Sequence, residues 1–105
     1  MAVAAVGAVV LGGCAGARPS ESQLLREGAR VFVSARCGAC HTVASVHTHG
    51  QVGPDFDTSE QLNRDQIRTE LDYGDGVMPS YRDRLSARQL DAVIEFVFHT
   101  LHQRP

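Results

Sequence analysis

Apolar residues return every three or four positions in three stretches of this chain. The first holds Leu24, Leu25, Gly28, Val31 and Phe32, the second Ile67 and Leu71, and the third Leu90, Val93, Ile94, Val97 and Leu101. That spacing follows the 3.6-residue helical period, so each stretch predicts a helix with one buried face. The first is expected over about 21–34, the second from just after Asn63 to Tyr73, and the third from just after Ser86 to near the end. All three begin alike: Ser20 with Gln23, Asn63 with Gln66 and Ser86 with Gln89 each have the form of a capping box, in which two side chains satisfy the first free backbone N–H groups. Gly74 follows the middle stretch where a C-terminal glycine belongs. No alternating run is long enough for a sheet, and there are no internal repeats. The expected fold class is all-α, with three or more helices in one domain.

The chemistry lies between the first two helices and just after the second. Cys37-Gly38-Ala39-Cys40-His41 reads C-x-x-C-H, the pattern for covalent haem attachment. The cysteine separation lets two thioethers reach the two vinyl groups of one porphyrin, and the adjacent imidazole can become an axial ligand of the iron. C-x-x-C alone also serves zinc sites and redox dithiols. The rest of the chain decides between them. Met78, the single internal methionine, lies in Tyr73-Gly74-Asp75-Gly76-Val77-Met78-Pro79, a glycine-rich polar loop. Such a loop is a poor place for core-filling thioether and a good one for reaching iron. Proline after Met78 disfavours helix there. Gly53-Pro54-Asp55 offers a rigid carbonyl for the second N–H of a metal-bound histidine.

Together these residues resemble the small bacterial class I cytochromes c, which carry one haem. The resemblance spans roughly residues 21 to 102 and rests on Gly28, Phe32, Cys37-x-x-Cys40-His41, Gly53-Pro54, Met78-Pro79 and Phe96. It implies a cytochrome c fold packed around one covalent haem c, and one-electron transfer as the activity. It makes Cys37 and Cys40 the thioether sites, His41 and Met78 the axial iron ligands, and Pro54 the carbonyl partner of His41. It also has Gly28 and Phe32 cross the last helix near Phe96. The implied partners are redox proteins: a dehydrogenase or cytochrome bc complex as donor, an oxidase or reductase as acceptor.

Composition agrees. Aromatic residues make up 6% of the chain and tryptophan is absent, thin for an unaided core in a domain of about 90 residues. Formal charge is −2 and all ten basic residues are arginine, which gives no case for nucleic-acid binding. Arg82, Arg84 and Arg88 follow the Met78 loop and are candidates for a basic rim beside a haem edge, or else a solvated helix start.

Residues 1–17 read as a leader and the start of the mature N-terminus, and 18–105 as the cytochrome c domain. Met1 to Gly13 is apolar or glycine throughout, uncharged and too short to span a bilayer. Leu11-Gly12-Gly13-Cys14 resembles a bacterial lipobox, which implies cleavage before Cys14, lipidation of its thiol and a membrane tether. This reading also uses the third cysteine, which haem does not need. It departs from the lipobox pattern in lacking a basic residue before the apolar run. Two rivals remain open: release at Arg18 after Ala15-Gly16-Ala17, and an uncleaved anchor. All three put the domain outside the cytoplasmic membrane, in the periplasm or cell envelope.

The carrier reading competes with a haem c subunit, sensor or peroxidase-like domain of a larger membrane complex. A sensor or peroxidase needs an open iron position, which Met78 would block. His47 and His49 are rival sixth ligands, but lie close in sequence to His41, while the opposite haem face is more easily reached from a distant segment. With Cys37 and Cys40 they also make a zinc donor set, which leaves Met78-Pro79 and Gly53-Pro54 without a role. A thioredoxin-like reading lacks any βαβ pattern. His99 and His102 are expected to face solvent at the negative end of the last helix. The expected function is an electron carrier, not an enzyme.

Overall fold

The computed structural model describes residues 2–7 and 18–103. Residues 2–7 are exposed and carry no regular structure. From there the chain forms three helices: α1 (Glu21–Ser34), α2 (Arg64–Tyr73) and α3 (Ala87–Leu101). Each starts with the expected reciprocal cap, at Ser20/Gln23, Asn63/Gln66 and Ser86/Gln89. Three local polar pairs thus satisfy the first backbone N–H groups of the three helices. Gly74, at φ 71°, ends α2.

The frame is the crossing of α1 on α3. A Cβ on Gly28 would stand 2.6 Å from Cβ of Phe96 and run into the backbone of Ala92, so only glycine lets the two helices approach this closely. Phe32, one turn further on, is fully buried and packs its ring against Phe96 at 5.4 Å between centroids. Val31, Val93, Ile94, Val97 and Leu101 complete this part of the core. The α2 helix adds Ile67 and Leu71 to the same core. Its outer arginines reach α3: Arg64 grips Glu95 at 2.6 Å, and Arg68 pairs with Asp91. Arg88 of α3 reaches back to Glu27 of α1 at 2.7 Å.

The segment between α1 and α2 contains a small antiparallel hairpin, β1 (Thr42–Val43) and β2 (Thr48–His49), with Thr42 opposite His49 and Val43 opposite Thr48. Two-residue strands need no alternating run. Their ladder is fixed instead by the Thr48 hydroxyl, which accepts from the Val43 N–H at 3.0 Å and donates to the His41 carbonyl at 3.0 Å. His47 turns the chain at φ 58°.

Of the two C-terminal histidines, His102 is exposed as expected and His99 is not. His102 stacks on Phe98 at 4.1 Å, and its Nε2 lies 2.8 Å from the Leu62 carbonyl, while His99 is half-buried. Arg64 covers Phe98 at 3.8 Å from the ring centroid. The end of α3 is thus pinned to the segment entering α2 by stacked rings and a cation.

Candidate haem site

The three helices and the hairpin segment enclose a cavity of about 510 Å³, within the range of cofactor sites. Cys37, Cys40, His41, Pro54 and Met78 all line it. Cys14 lies outside the described residues. The remaining wall is mostly apolar, with Phe32, Phe56, Ile67, Leu71, Val93 and Val97 at its core side.

Residues just past α1 build one wall. Arg36 adopts a left-handed conformation, φ 64°, and ends the helical path. A tight turn over Cys37–Ala39 follows, in which the Cys37 carbonyl accepts from the N–H groups of both Cys40 (3.1 Å) and His41 (3.0 Å). That turn brings both half-buried cysteines and His41 to the same cavity. The His41 ring is buried, and its Nδ1 lies 2.8 Å from the Pro54 carbonyl. A carbonyl can only accept, so Nδ1 carries the proton. The lone pair of the neutral ring is then on Nε2. Phe56 stacks on the imidazole at 4.3 Å, and Gly53 lies so close that a Cβ there would stand 2.8 Å from Nδ1. Only a residue without a side chain leaves the ring its place.

Met78 enters the cavity wall from a tight turn after α2. Asp75 and Met78 exchange backbone hydrogen bonds, N–H of Asp75 to the Met78 carbonyl at 3.0 Å and the reverse at 2.9 Å. Gly76 between them has φ 57°, as the first central residue of a type II′ turn requires. The turn hangs from the end of α2: the Tyr81 N–H donates to the Leu71 carbonyl at 2.7 Å, and the Ser80 hydroxyl to the Asp72 carbonyl at 2.6 Å.

Burial pushes the Cys37 thiol up to about 11, and the neighbouring Cys40 adds to the rise. Before any attachment to a cofactor, the Cys37 thiol therefore lacks the lowered value of a redox dithiol's activated thiolate. Burial likewise raises the Tyr81 phenol, with Cys37 beside it contributing. His47 and His49 are exposed on the hairpin and do not line the cavity. Among the described residues, no group of three or more His, Cys, Asp or Glu side chains is arranged to hold a metal ion, so the zinc alternative has no site there. Cys37, Cys40, His41 and Met78 line one mainly apolar cavity, a set that could hold a flat cofactor through two thiols, an imidazole and a thioether.

The three arginines after Met78 differ in their surroundings. Arg88 is taken by Glu27, Arg84 lies over the Tyr81 ring at 5.9 Å, and none of the three lines the cavity. Phe56, Thr48 and Tyr81 were missed as site residues. Phe56 carries a weak signal, an isolated aromatic just past Gly53-Pro54; Thr48 and Tyr81 carry none.

A profile of the family described as cytochrome c oxidase, cbb3-type, subunit III matches residues 23–97. The chain belongs to that family. It is also similar to the c-type cytochrome SorU from Sinorhizobium meliloti, whose crystal structure superposes with a TM-score of 0.67 at 27% sequence identity, covering 75% of this chain and 92% of that one. No curated protein matches it. This cytochrome c domain accordingly has a cytochrome c fold, with covalently bound haem c as its cofactor. Its activity is haem-based electron transfer with redox partner proteins, and c-type cytochromes typically work outside the cytoplasm. No helix among the described residues is long and apolar enough to cross a membrane.

Proposed function

We propose that this domain is a one-electron carrier with His41 and Met78 as axial iron ligands, Cys37 and Cys40 as thioether sites and Pro54 as the carbonyl partner of His41. The observation that carries this reading is the His41 ring. It is buried, its Nδ1 proton is committed to Pro54, and its Nε2 is the basic nitrogen at a cavity that Met78 also lines. Haem c bound there supplies an iron centre that alternates between two oxidation states. The protein's part is to fix the donors. Pro54 orients the imidazole and raises its basicity. The Asp75–Met78 turn presents the thioether, and the apolar wall suits the hydrophobic body of the haem. With His41 and Met78 both holding the iron, the haem would exchange electrons without binding a substrate, which supports a carrier and not an enzyme.

Residues 1–17 act in this reading as a lipoprotein leader, with Cys14 as the lipidated residue, and 18–105 as the domain held at the outer face of the membrane. Replacing Cys14 by serine should free the protein from the membrane fraction with its haem content unchanged. A second reading is favoured by the family description, which names an oxidase subunit: the domain serves as the haem c subunit of a membrane complex. Native gel electrophoresis of solubilised membranes separates the two, a carrier migrating alone and a subunit with the complex. The central test is expression in a host that matures c-type haem. A low-spin spectrum with a sulfur–iron far-red band in the oxidised form is expected. A high-spin spectrum would overturn the ligand set, and absent haem staining would overturn the reading.

A further inference from the structure

Glu70 stands on the inward stripe of α2, between Ile67 and Leu71, where helical spacing favours an apolar residue. It is half-buried and lines the haem cavity. Two other residues of formal charge at neutral pH, Arg36 and Asp75, also line it, but both are exposed and in contact with bulk water. The cations nearest Glu70 on its own helix are engaged elsewhere, Arg64 with Glu95 and Arg68 with Asp91. Among the described residues, the Glu70 carboxylate has neither a hydrogen bond nor an ion pair. Its other side borders a polar groove with Asn63, Gln66 and Thr69, which keeps the carboxylate hydrated while it faces the apolar cavity.

A charge placed so acts on whatever charge the cavity holds. The oxidised haem centre carries one more positive charge than the reduced one, and an unpaired carboxylate at a low-dielectric wall favours the more positive state. Half-burial limits the screening that salt exerts on exposed charges. We propose that Glu70 tunes the reduction potential of this domain downward through its negative charge. An apolar residue there would extend the Ile67–Leu71 face toward the cavity and carry no charge. Glu70 is thus a positioning residue for charge, acting through the field and not by touching iron.

This inference rests on the haem reading above, and the test separates the two. Holoproteins carrying Glu70→Gln, Glu70→Asp and Glu70→Lys are compared with the parent by potentiometric titration and visible spectroscopy. The midpoint should rise in Glu70→Gln, rise further in Glu70→Lys and stay near the parent in Glu70→Asp, with all four spectra alike. Equal midpoints across the series, or a rise in Glu70→Asp equal to that in Glu70→Gln, would overturn the inference and leave the carrier reading standing. A shift that appears only with an altered spectrum would also overturn it, since Glu70 would then support the ligands and not the field. Failure of the parent itself to take up haem would instead defeat the carrier reading.

Discussion

Pro54 meets His41 only through its backbone carbonyl, so its ring is dispensable for that hydrogen bond, whereas the missing side chain at Gly53 is not. Pro54→Ala should therefore destabilise the holoprotein by ~1 kcal/mol or less, the loss of a rigid turn. Gly53→Ala should cost more, about 1–3 kcal/mol, because its Cβ competes with the imidazole for space. Thermal unfolding of the two variants checks the order, and a visible spectrum disturbed in Gly53→Ala alone locates the damage. Met78→Ala should abolish the far-red band, lower the potential and admit cyanide or carbon monoxide; an unchanged spectrum would show that another residue holds the iron. That Cys37, Cys40 and His41 line one cavity was legible in the chain, because they lie within five residues of one another. Phe56 and Thr48 were not legible, because what they do depends on where the hairpin folds back.

At the scale of elements, all three helices could be read from caps and apolar stripes, since both signals are local. The hairpin could not, because a side-chain hydroxyl holds it in place of a strand pattern. Neither could the ion pairs that fasten α2 to α3, which join residues far apart in the chain. Arg64 holds the Glu95 carboxyl below its ordinary value of 4.5, chiefly through their side-chain hydrogen bonds. A lowered folded value means that the pair stabilises the protein at neutral pH and that this contribution disappears as pH falls below 4.5 through the lowered value. Glu95→Gln should cost ~0.5–1 kcal/mol at pH 7, because Arg64 is largely exposed and solvent screens the pair. Melting curves of parent and variant should converge in acid, and a gap that persists there would assign the loss to packing.

For the whole molecule, the cofactor is part of the core. The cavity lies among Phe32, Ile67, Leu71, Val93 and Val97, the same residues that join the helices, so an empty pocket leaves the domain without its centre. A chain of this size has little burial to spare. Cys37→Ser with Cys40→Ser should leave an apoprotein with most of its helical circular dichroism lost and no haem staining on a denaturing gel. Native-like helicity without haem would show that the α1–α3 crossing suffices alone. Cofactor and fold class were legible from the motif, but the commitment of Arg84 and Arg88 was not, because their partners appear only once α1, α3 and Tyr81 have come together.

The turn that carries Met78 takes its backbone and hydroxyl hydrogen bonds from the end of α2, by Tyr81 on Leu71 and Ser80 on Asp72. The cysteines and His41 belong to the other side of the molecule, just past α1. On the proposed ligand set, the side carrying Cys37, Cys40 and His41 would hold the haem covalently and the Met78 side only through its thioether, so the Met78 turn is expected to open before the α1–α3 crossing does. In amide exchange, the Met78 and Tyr81 N–H groups should open together, at a free energy below that of the α3 amides. Breaking the thioether–iron contact, by Met78→Ala or by reduction with carbon monoxide present, should speed exchange at Tyr81 while leaving Phe96 and Val97 as slow as before.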